Sequence, residues 1–225
     1  MKLTNDGWLH RDEQLVVFFG HRQIDRAQLQ ELFPELQWAT LEQVHSPTVI
    51  VADPTQERRG DAHFTNSSRL GLIIKTADCL PVMLASDRGQ VAAIHAGWRG
   101  VTTDIVTNAV RHLLRLTEKA PLRAWIGPHI QWESFEVGED VLDLLRHAFL
   151  RASPQGQFET ICKLHPRDPK KRFVNLTAIV RAQLQAHDVM IVDEVTADTK
   201  TTPTLASYRR DGQSAGRNLS FIARL

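Results

Sequence analysis

Three short segments concentrate the side chains able to do chemistry. Residues 41–46 (LEQVHS) carry His45 just ahead of an apolar run. Residues 75–82 (KTADCLPV) set Asp78 and Cys79 between two apolar runs, with Pro81 enforcing an extended exit. Residues 92–100 (AAIHAGWRG) end a strand-like run at His95 and open a glycine-bracketed turn, Gly97-Trp98-Arg99-Gly100. A histidine where strand gives way to turn stands in a usual place for a functional side chain held by a rigid scaffold. The glycines let backbone approach a ligand closely, and Arg99 adds a cation beside a helix start. Turn, cation and helix N-terminus together suit a phosphate, a carboxylate or a developing oxyanion. The plain alternative is a tight turn with Trp98 in the core and Arg99 paired to a carboxylate.

Cys79 with two histidines has two chemical readings. Two imidazoles and a thiolate are three metal ligands that leave a fourth position for water, the pattern of a catalytic zinc centre. Alternatively Cys79 is a nucleophile activated by a nearby histidine. There is no CxxC and no HExxH, so spacing leaves both open, beside the ordinary fate of a cytosolic cysteine as a small buried hydrophobe. Asp78 reads as a partner behind the site or as a cap of its own turn, the cap being narrowly preferred. His63, after Gly60-Asp61-Ala62, falls near the site, and His129, after Gly127-Pro128, near its rim. His10, His21, His112, His147, His165 and His187 read as solvated, and Trp8, Trp38, Trp125 and Trp132 as packing residues.

The elements that must hold these segments follow from hydrophobic patterning. Short runs rich in Val, Ile, Leu and Phe predict strands over 14–19, 48–52, 70–76, 81–85, 90–95, 123–126, 189–193 and 218–223. Helical periodicity predicts helices over 25–33, 104–116, 139–149 and 176–186. The second has Thr103 as N-cap and Ile105, Ala109, Leu113 and Leu116 on one face; the fourth has Asn175 as its cap. Strands and helices intermix without strict βα alternation, which predicts a mixed α/β fold rather than a Rossmann sheet. Residues 151–172, rich in Pro and charge, read as a long exposed loop. There is no repeat, low-complexity tract or Gly/Ser linker, and 1–225 reads as a single domain.

Composition bounds the function. The 225 residues are 42% hydrophobic and 24% charged, ordinary for a globular chain. Twenty-seven Lys and Arg against twenty-six Asp and Glu leave a net charge of +1, without the basic excess of a nucleic-acid or anionic-membrane binder. No run approaches a membrane span, and the charged start MKLTNDGWLHRDEQ lacks a signal peptide's apolar stretch. The expected location is the cytoplasm, with Cys79 and Cys162 as thiols and Cys162 incidental.

In order along the chain, QVHS (43–46), GDAHFT (60–65), TADCLPV (76–82), HAGWRG (95–100), IGPHI (126–130), FEVGEDV (135–141) and SYRRDG…GR (207–217) resemble the YfiH-like family. It is also called the laccase-domain, polyphenol-oxidase or peptidoglycan-editing-factor family. The likeness covers about four-fifths of the chain, from about residue 41 onward. The family's N-terminal TTRxGGVS and SLNLG stretches are missing: 18–38 is compressed, and only Gly20-His21-Arg22 corresponds, with Arg22 in place of the family arginine. The usual Cys-Thr before SYRR is replaced by Ala197-Asp198-Thr199.

The resemblance implies layered mixed β-sheets flanked by helices, distantly similar to the cytotoxic-necrotizing-factor deamidases. It implies a metal held by His45, Cys79 and His95, which double as the catalytic residues, with zinc the usual ion and copper the less favoured one. It implies a purine nucleoside enzyme: phosphorolysis of adenosine, inosine or methylthioadenosine, and deamination of adenosine. The expected partners are therefore a nucleoside and phosphate, with substrate contacts from Arg99, Arg209 and Asp61. The alternatives are a hydrolase editing mischarged peptidoglycan precursors and a polyphenol-oxidase-type metal protein. A true multicopper laccase needs many paired histidines, and this chain has no His-x-His; two imidazoles and a thiolate suit zinc better.

Overall fold

A computed structural model describes residues 1–225. Two six-stranded sheets lie face to face. The first has the order β1 (Lys2–Leu3), β2 (Gly7–Arg11), β3 (Leu15–Gly20), β17 (Asn218–Arg224), β9 (Leu70–Thr76), β4 (Gln37–Ala39). The second runs β16 (Met190–Glu194), β12 (Leu122–Ile126), β10 (Leu80–Ser86), β11 (Val91–Ala96), β8 (Ala62–Thr65), β6 (Val49–Val51). A three-stranded sheet of β13 (Glu136–Gly138), β15 (Lys171–Val174) and β14 (Cys162–Leu164), and a pair of β5 (Leu41–Glu42) with β7 (Arg58–Arg59), complete the strands.

Alternation along the strands assigns each residue to a layer. Leu72 and Ile74 of β9, Val17 and Phe19 of β3, and Met83, Ala93 and Trp125 of the second sheet fill the space between the sheets. The outer face of the first sheet packs Ile73 and Phe221 on helix α1 (Arg26–Leu32) through Leu29 and Phe33. Gly71 is required here, because a Cβ would stand 2.5 Å from the Trp38 ring. The outer face of the second sheet is covered by α3 (Ile105–Leu116), α4 (Glu139–Ala152) and α5 (Leu176–Gln185), which with it form the larger core. The short helices α2 (Trp98–Thr102) and α6 (Tyr208–Asp211) sit at the ends of strands and loops near the candidate site. No helix is long and apolar enough to cross a membrane.

The mixed α/β expectation is met, with helices outside two facing sheets. Strand β9 and the helix at 176–185 fall where periodicity places them, and Asn175 Oδ1 accepts from Ala178 N at 3.0 Å as the expected cap. Three expectations are corrected. Residue 104, not Thr103, is the N-cap of α3, in a left-handed conformation and without a side-chain cap. Leu116 is exposed, since the buried stripe runs through Ile105, Val106, Ala109, Val110 and Leu113 instead. The 151–172 segment is not one long loop: it contains the end of α4, a 3-10 turn at Phe158–Ile161, strand β14 and the start of β15. Phe158 and Ile161 anchor it in the larger core, which a reading of its Pro and Lys content overlooks.

Candidate metal and substrate site

The register of three neighbouring strands assembles the site. Strands β10 and β11 pair antiparallel with Pro81 opposite His95 and Leu80 opposite Ala96, so Cys79 emerges beside the end of β11. Strand β8 pairs with β11 through Ala62 and Ile94, which brings Asp61 beside His95. The His95 amide donates to the Asp61 carbonyl at 2.7 Å, and His95 Nδ1 lies 2.8 Å from Asp61 Oδ1. The same carboxylate accepts from the amides of Val44 (3.2 Å), His45 (2.9 Å) and Ser46 (2.6 Å) and from Ser46 Oγ (2.8 Å). Those four bonds curl the loop after β5 so that His45, at φ 60°, turns its ring inward.

The rings of His45 and His95 meet edge to face at 4.8 Å between centroids, and His45 Nε2 is 3.9 Å from Cys79 Sγ. The donor atoms of His45, Cys79 and His95 all lie within 4.8 Å of one another. That span is close to twice a bond of about 2.0–2.3 Å, the zinc–nitrogen and zinc–sulfur range. Because Nδ1 of His95 donates to Asp61, Nε2 is left to bind, the orienting arrangement common around ligand histidines. Gly97, the residue after β11, is enforced by the same crowding: a Cβ there would stand 2.9 Å from His45 Cδ2 and 3.0 Å from Cys79 Sγ. The donor set therefore fits a divalent transition metal.

The electrostatics of the group follow from its contacts. Burial pushes the Cys79 thiol up, but hydrogen bonds and charge from His45 and His95 outweigh it and bring it down to about 6. Burial disfavours the His95 imidazolium, yet the Asp61 and Cys79 contacts reverse that and raise it to about 9. Asp61 is itself held well below the carboxylate range: burial opposes this, and the bonds from His95, Ser46 and His45 prevail.

A cavity of about 340 Å³ opens over the three donors. One wall is apolar, with Ile130, Phe135 and Leu176 reaching out from the larger core. The facing wall comes from the first sheet and carries Lys75 and Arg217, with Gln43 beside them. Trp98 and Arg99 lie on α2, the Arg99 guanidinium 4.3 Å from the Trp98 ring centroid and paired to no carboxylate. Arg209 also lines the cavity; its guanidinium donates to the carbonyls of Ser134 and Glu136, both at 3.3 Å.

The structure thus brings His45, Cys79, His95, Arg99 and Arg209 to one cavity and puts Asp61 elsewhere. Asp61 is fully buried beneath the donors with its oxygens engaged inside the protein, so it has no surface to offer a substrate. Asp78, at φ 90°, does not cap its own turn: it accepts from Thr199 Oγ1 and from the Arg209 amide, both at 2.6 Å, tying the cysteine loop to α6. Arg22 pairs with Asp211 at 3.7 Å and stays off the cavity. His63 is buried between the sheets rather than at the site, and His129 lies beneath the rim, its Nδ1 donating to the Gly127 carbonyl at 2.8 Å and its Nε2 facing the Thr177 hydroxyl. His21 is buried against Trp8 rather than solvated.

Several contributors carry no sequence signal of their own. Asp198, in the stretch that replaces the family's Cys-Thr, ties the rim by accepting from Ser134 Oγ at 2.5 Å and Lys200 N at 3.0 Å. Arg210, next to Arg209, turns away from the cavity onto the carbonyls of Thr199 and Leu205 and the carboxylate of Asp211. The Ser207 cap, which takes the Arg210 amide, and Asp78, which takes the Arg209 amide, separate the two adjacent arginines.

Comparison with known proteins agrees with this architecture. Residues 5–225 match the family described as multi-copper polyphenol oxidoreductase laccase. The chain is 34% identical over 185 residues to a purine nucleoside phosphorylase of Pseudomonas aeruginosa, covering 81% of this chain and 72% of that one. It is 32% identical over 189 residues to purine nucleoside phosphorylase YfiH of Escherichia coli, with the same coverage. Among solved structures, a Neisseria meningitidis protein, NMB0706, superposes with a TM-score of 0.79 at 25% identity over 97% of both chains. YlmD of Geobacillus stearothermophilus gives 0.81 at 23% identity over 93% of this chain and 92% of that one. The chain belongs to the YfiH-like, laccase-domain family.

Proposed function

We propose that this protein, acting as one domain in the cytoplasm, is a zinc-dependent enzyme that phosphorolyses purine nucleosides such as adenosine, inosine or methylthioadenosine. The observation that carries the reading is the convergence of two imidazoles and a thiolate at the floor of a cavity with one apolar and one cationic wall. The relatives named purine nucleoside phosphorylase support the substrate class. His45, Cys79 and His95 would hold a zinc ion, which would supply Lewis-acid polarisation at the reacting centre.

The remaining work falls to side chains. Ile130, Phe135 and Leu176 offer an apolar surface to the flat base, leaving the sugar over the donors. Arg99, free of any carboxylate, orients phosphate for attack at the ribose carbon. A phosphate oxygen bonds to that carbon, the carbon–nitrogen bond breaks, and its electron pair leaves on the purine nitrogen, which takes up a proton. Arg209 stiffens the cavity mouth through its carbonyl contacts and adds positive charge. Asp61 keeps the His95 proton on Nδ1, so that the other nitrogen stays available. Deamination of adenosine is a second reading, favoured by the set of three protein donors, the number typical of zinc sites that activate water.

The test is metal analysis of untreated protein joined to a phosphate-dependent nucleoside assay on the same sample. Stoichiometric zinc and conversion of adenosine to adenine and ribose 1-phosphate are expected. Cys79→Ala is expected to lose the metal and to lower turnover by about three orders of magnitude or more, the scale of several kcal/mol of lost charge stabilisation. Full activity in that variant overturns the reading, and turnover of cell-wall peptides in place of nucleosides replaces it with the hydrolase.

A further inference from the structure

The cationic wall of the cavity has chemistry that the metal does not explain. Lys75 and Arg217 come from adjacent strands: β9 and β17 pair antiparallel with Lys75 opposite Leu219 and Thr76 opposite Asn218. Arg217 immediately precedes β17 and stands two residues before Leu219, so strand alternation sets it on the Lys75 side. Both line the same cavity. The Gln43 side chain clamps the Lys75 peptide, accepting from its amide and donating to its carbonyl, each at 2.8 Å, which fixes where the lysine leaves the strand.

Neither cation is used up. Arg217 donates to the Ala215 and Gly216 carbonyls from one nitrogen and meets no carboxylate. Lys75 Nζ spends one of its three protons on Glu57 Oε1 at 2.8 Å. Lys75 also borders a second cavity of about 410 Å³ that contains Glu57 and Arg26, so its ammonium stands between the two spaces. Arg209, by contrast, is committed to two carbonyls, and Arg99 stands on α2 rather than on this wall.

We propose that Lys75 and Arg217 form a phosphoryl-binding subsite on the wall facing the apolar side, separate from the three metal donors. The substrate class follows, and it rests on the nucleoside reading above. With the base against Ile130, Phe135 and Leu176, the opposite end of the molecule meets two cations. That arrangement suits a phosphate ester carried by the nucleoside itself, or a second orthophosphate held apart from the one that Arg99 orients. Glu57 is the competitor for Lys75, and its removal frees the ammonium.

Calorimetric titration of the metal-loaded protein with adenosine 5′-monophosphate, adenosine and orthophosphate, at low and high salt, tests the subsite. Lys75→Gln and Arg217→Gln are each expected to weaken the anion about tenfold, the scale of one charge-assisted hydrogen bond, and to leave adenosine unchanged. Glu57→Gln is expected to tighten the anion a few-fold at low salt, a gain that no unfolded variant produces. Loss confined to the monophosphate identifies the ester as the ligand; loss confined to orthophosphate identifies the free ion. Anion affinities that none of the three substitutions changes overturn the subsite. The binding readout is independent of turnover, so a protein that splits no nucleoside yet loses anion affinity in these variants keeps the subsite and discards the nucleoside reading.

Discussion

Two buried histidines on neighbouring strands have opposite fates. His63 on β8 lies opposite Ala93 of β11, and His95 is two residues further along that same strand. Their exposures are nearly equal, 0% and 3%. Neither nitrogen of His63 finds a partner in good hydrogen-bond geometry, and burial presses its pKa down to about 3 against a weak pull from the Ile73 backbone. His95 has Asp61 on one nitrogen and Cys79 near the other, and goes up to about 9. Burial alone makes an inert neutral ring; a carboxylate at hydrogen-bond distance fixes the orientation of the same ring and raises its basicity. The strand end, where a loop supplies Asp61 and His45, is where such a partner is available.

Asp61→Asn attacks that difference directly. The amide keeps the shape but cannot accept all the bonds of the carboxylate, so His95 loses its fixed tautomer and the 44–46 loop its anchor. Metal affinity and activity are expected to fall about 10–100-fold, read by competition with a chelator and by turnover. Gly97→Ala leaves Asp61 in place and crowds the donors with a methyl group; metal affinity is expected to fall about tenfold with the fold intact, read by the same titration beside a circular-dichroism melt.

His63→Leu tests the inert side and carries the smallest effect. Its replacement is expected to stabilise the protein by about 1–3 kcal/mol without changing metal content, because two unpartnered buried nitrogens disappear. The pH dependence has a definite sign. With a folded pKa of about 3, below the ordinary 6.5, the unfolded state binds the proton first as pH falls. Stability is thus lost progressively from about pH 6.5 down to about 3, and this acid-side slope is expected to flatten in the variant when unfolding is followed in urea across that range.

How much of this was legible in the chain depends on range. Strand β9 and the hairpin of β10 and β11 declare themselves through short runs rich in apolar residues, and the three donors stand out because each sits in a short, unusual segment near a strand end. The role of Asp61 was hidden because it depends on which residue of β8 faces His95, a register set by long-range pairing. Arg209 and Arg210 are indistinguishable as letters; only the cap at Ser207 and the Asp78 contact decide which one faces the cavity. His21 and His129 look solvated or peripheral among polar neighbours, and are buried by Trp8 and by the Thr177 end of α5. Local pattern reports periodicity; it does not report which distant loop closes over a residue.

The central place of β17 in the first sheet has a consequence for how the molecule is made. That strand lies between β3 and β9, both of which come far earlier in the numbering. Emerging from a ribosome, those two strands stay unjoined, with open edges exposed to any passing chain, until residues 218–224 arrive to fill the gap. Arg217, at the threshold of that strand, completes the cationic wall, so a nascent chain carries His45, Cys79 and His95 well before it has a finished pocket for anything to react in.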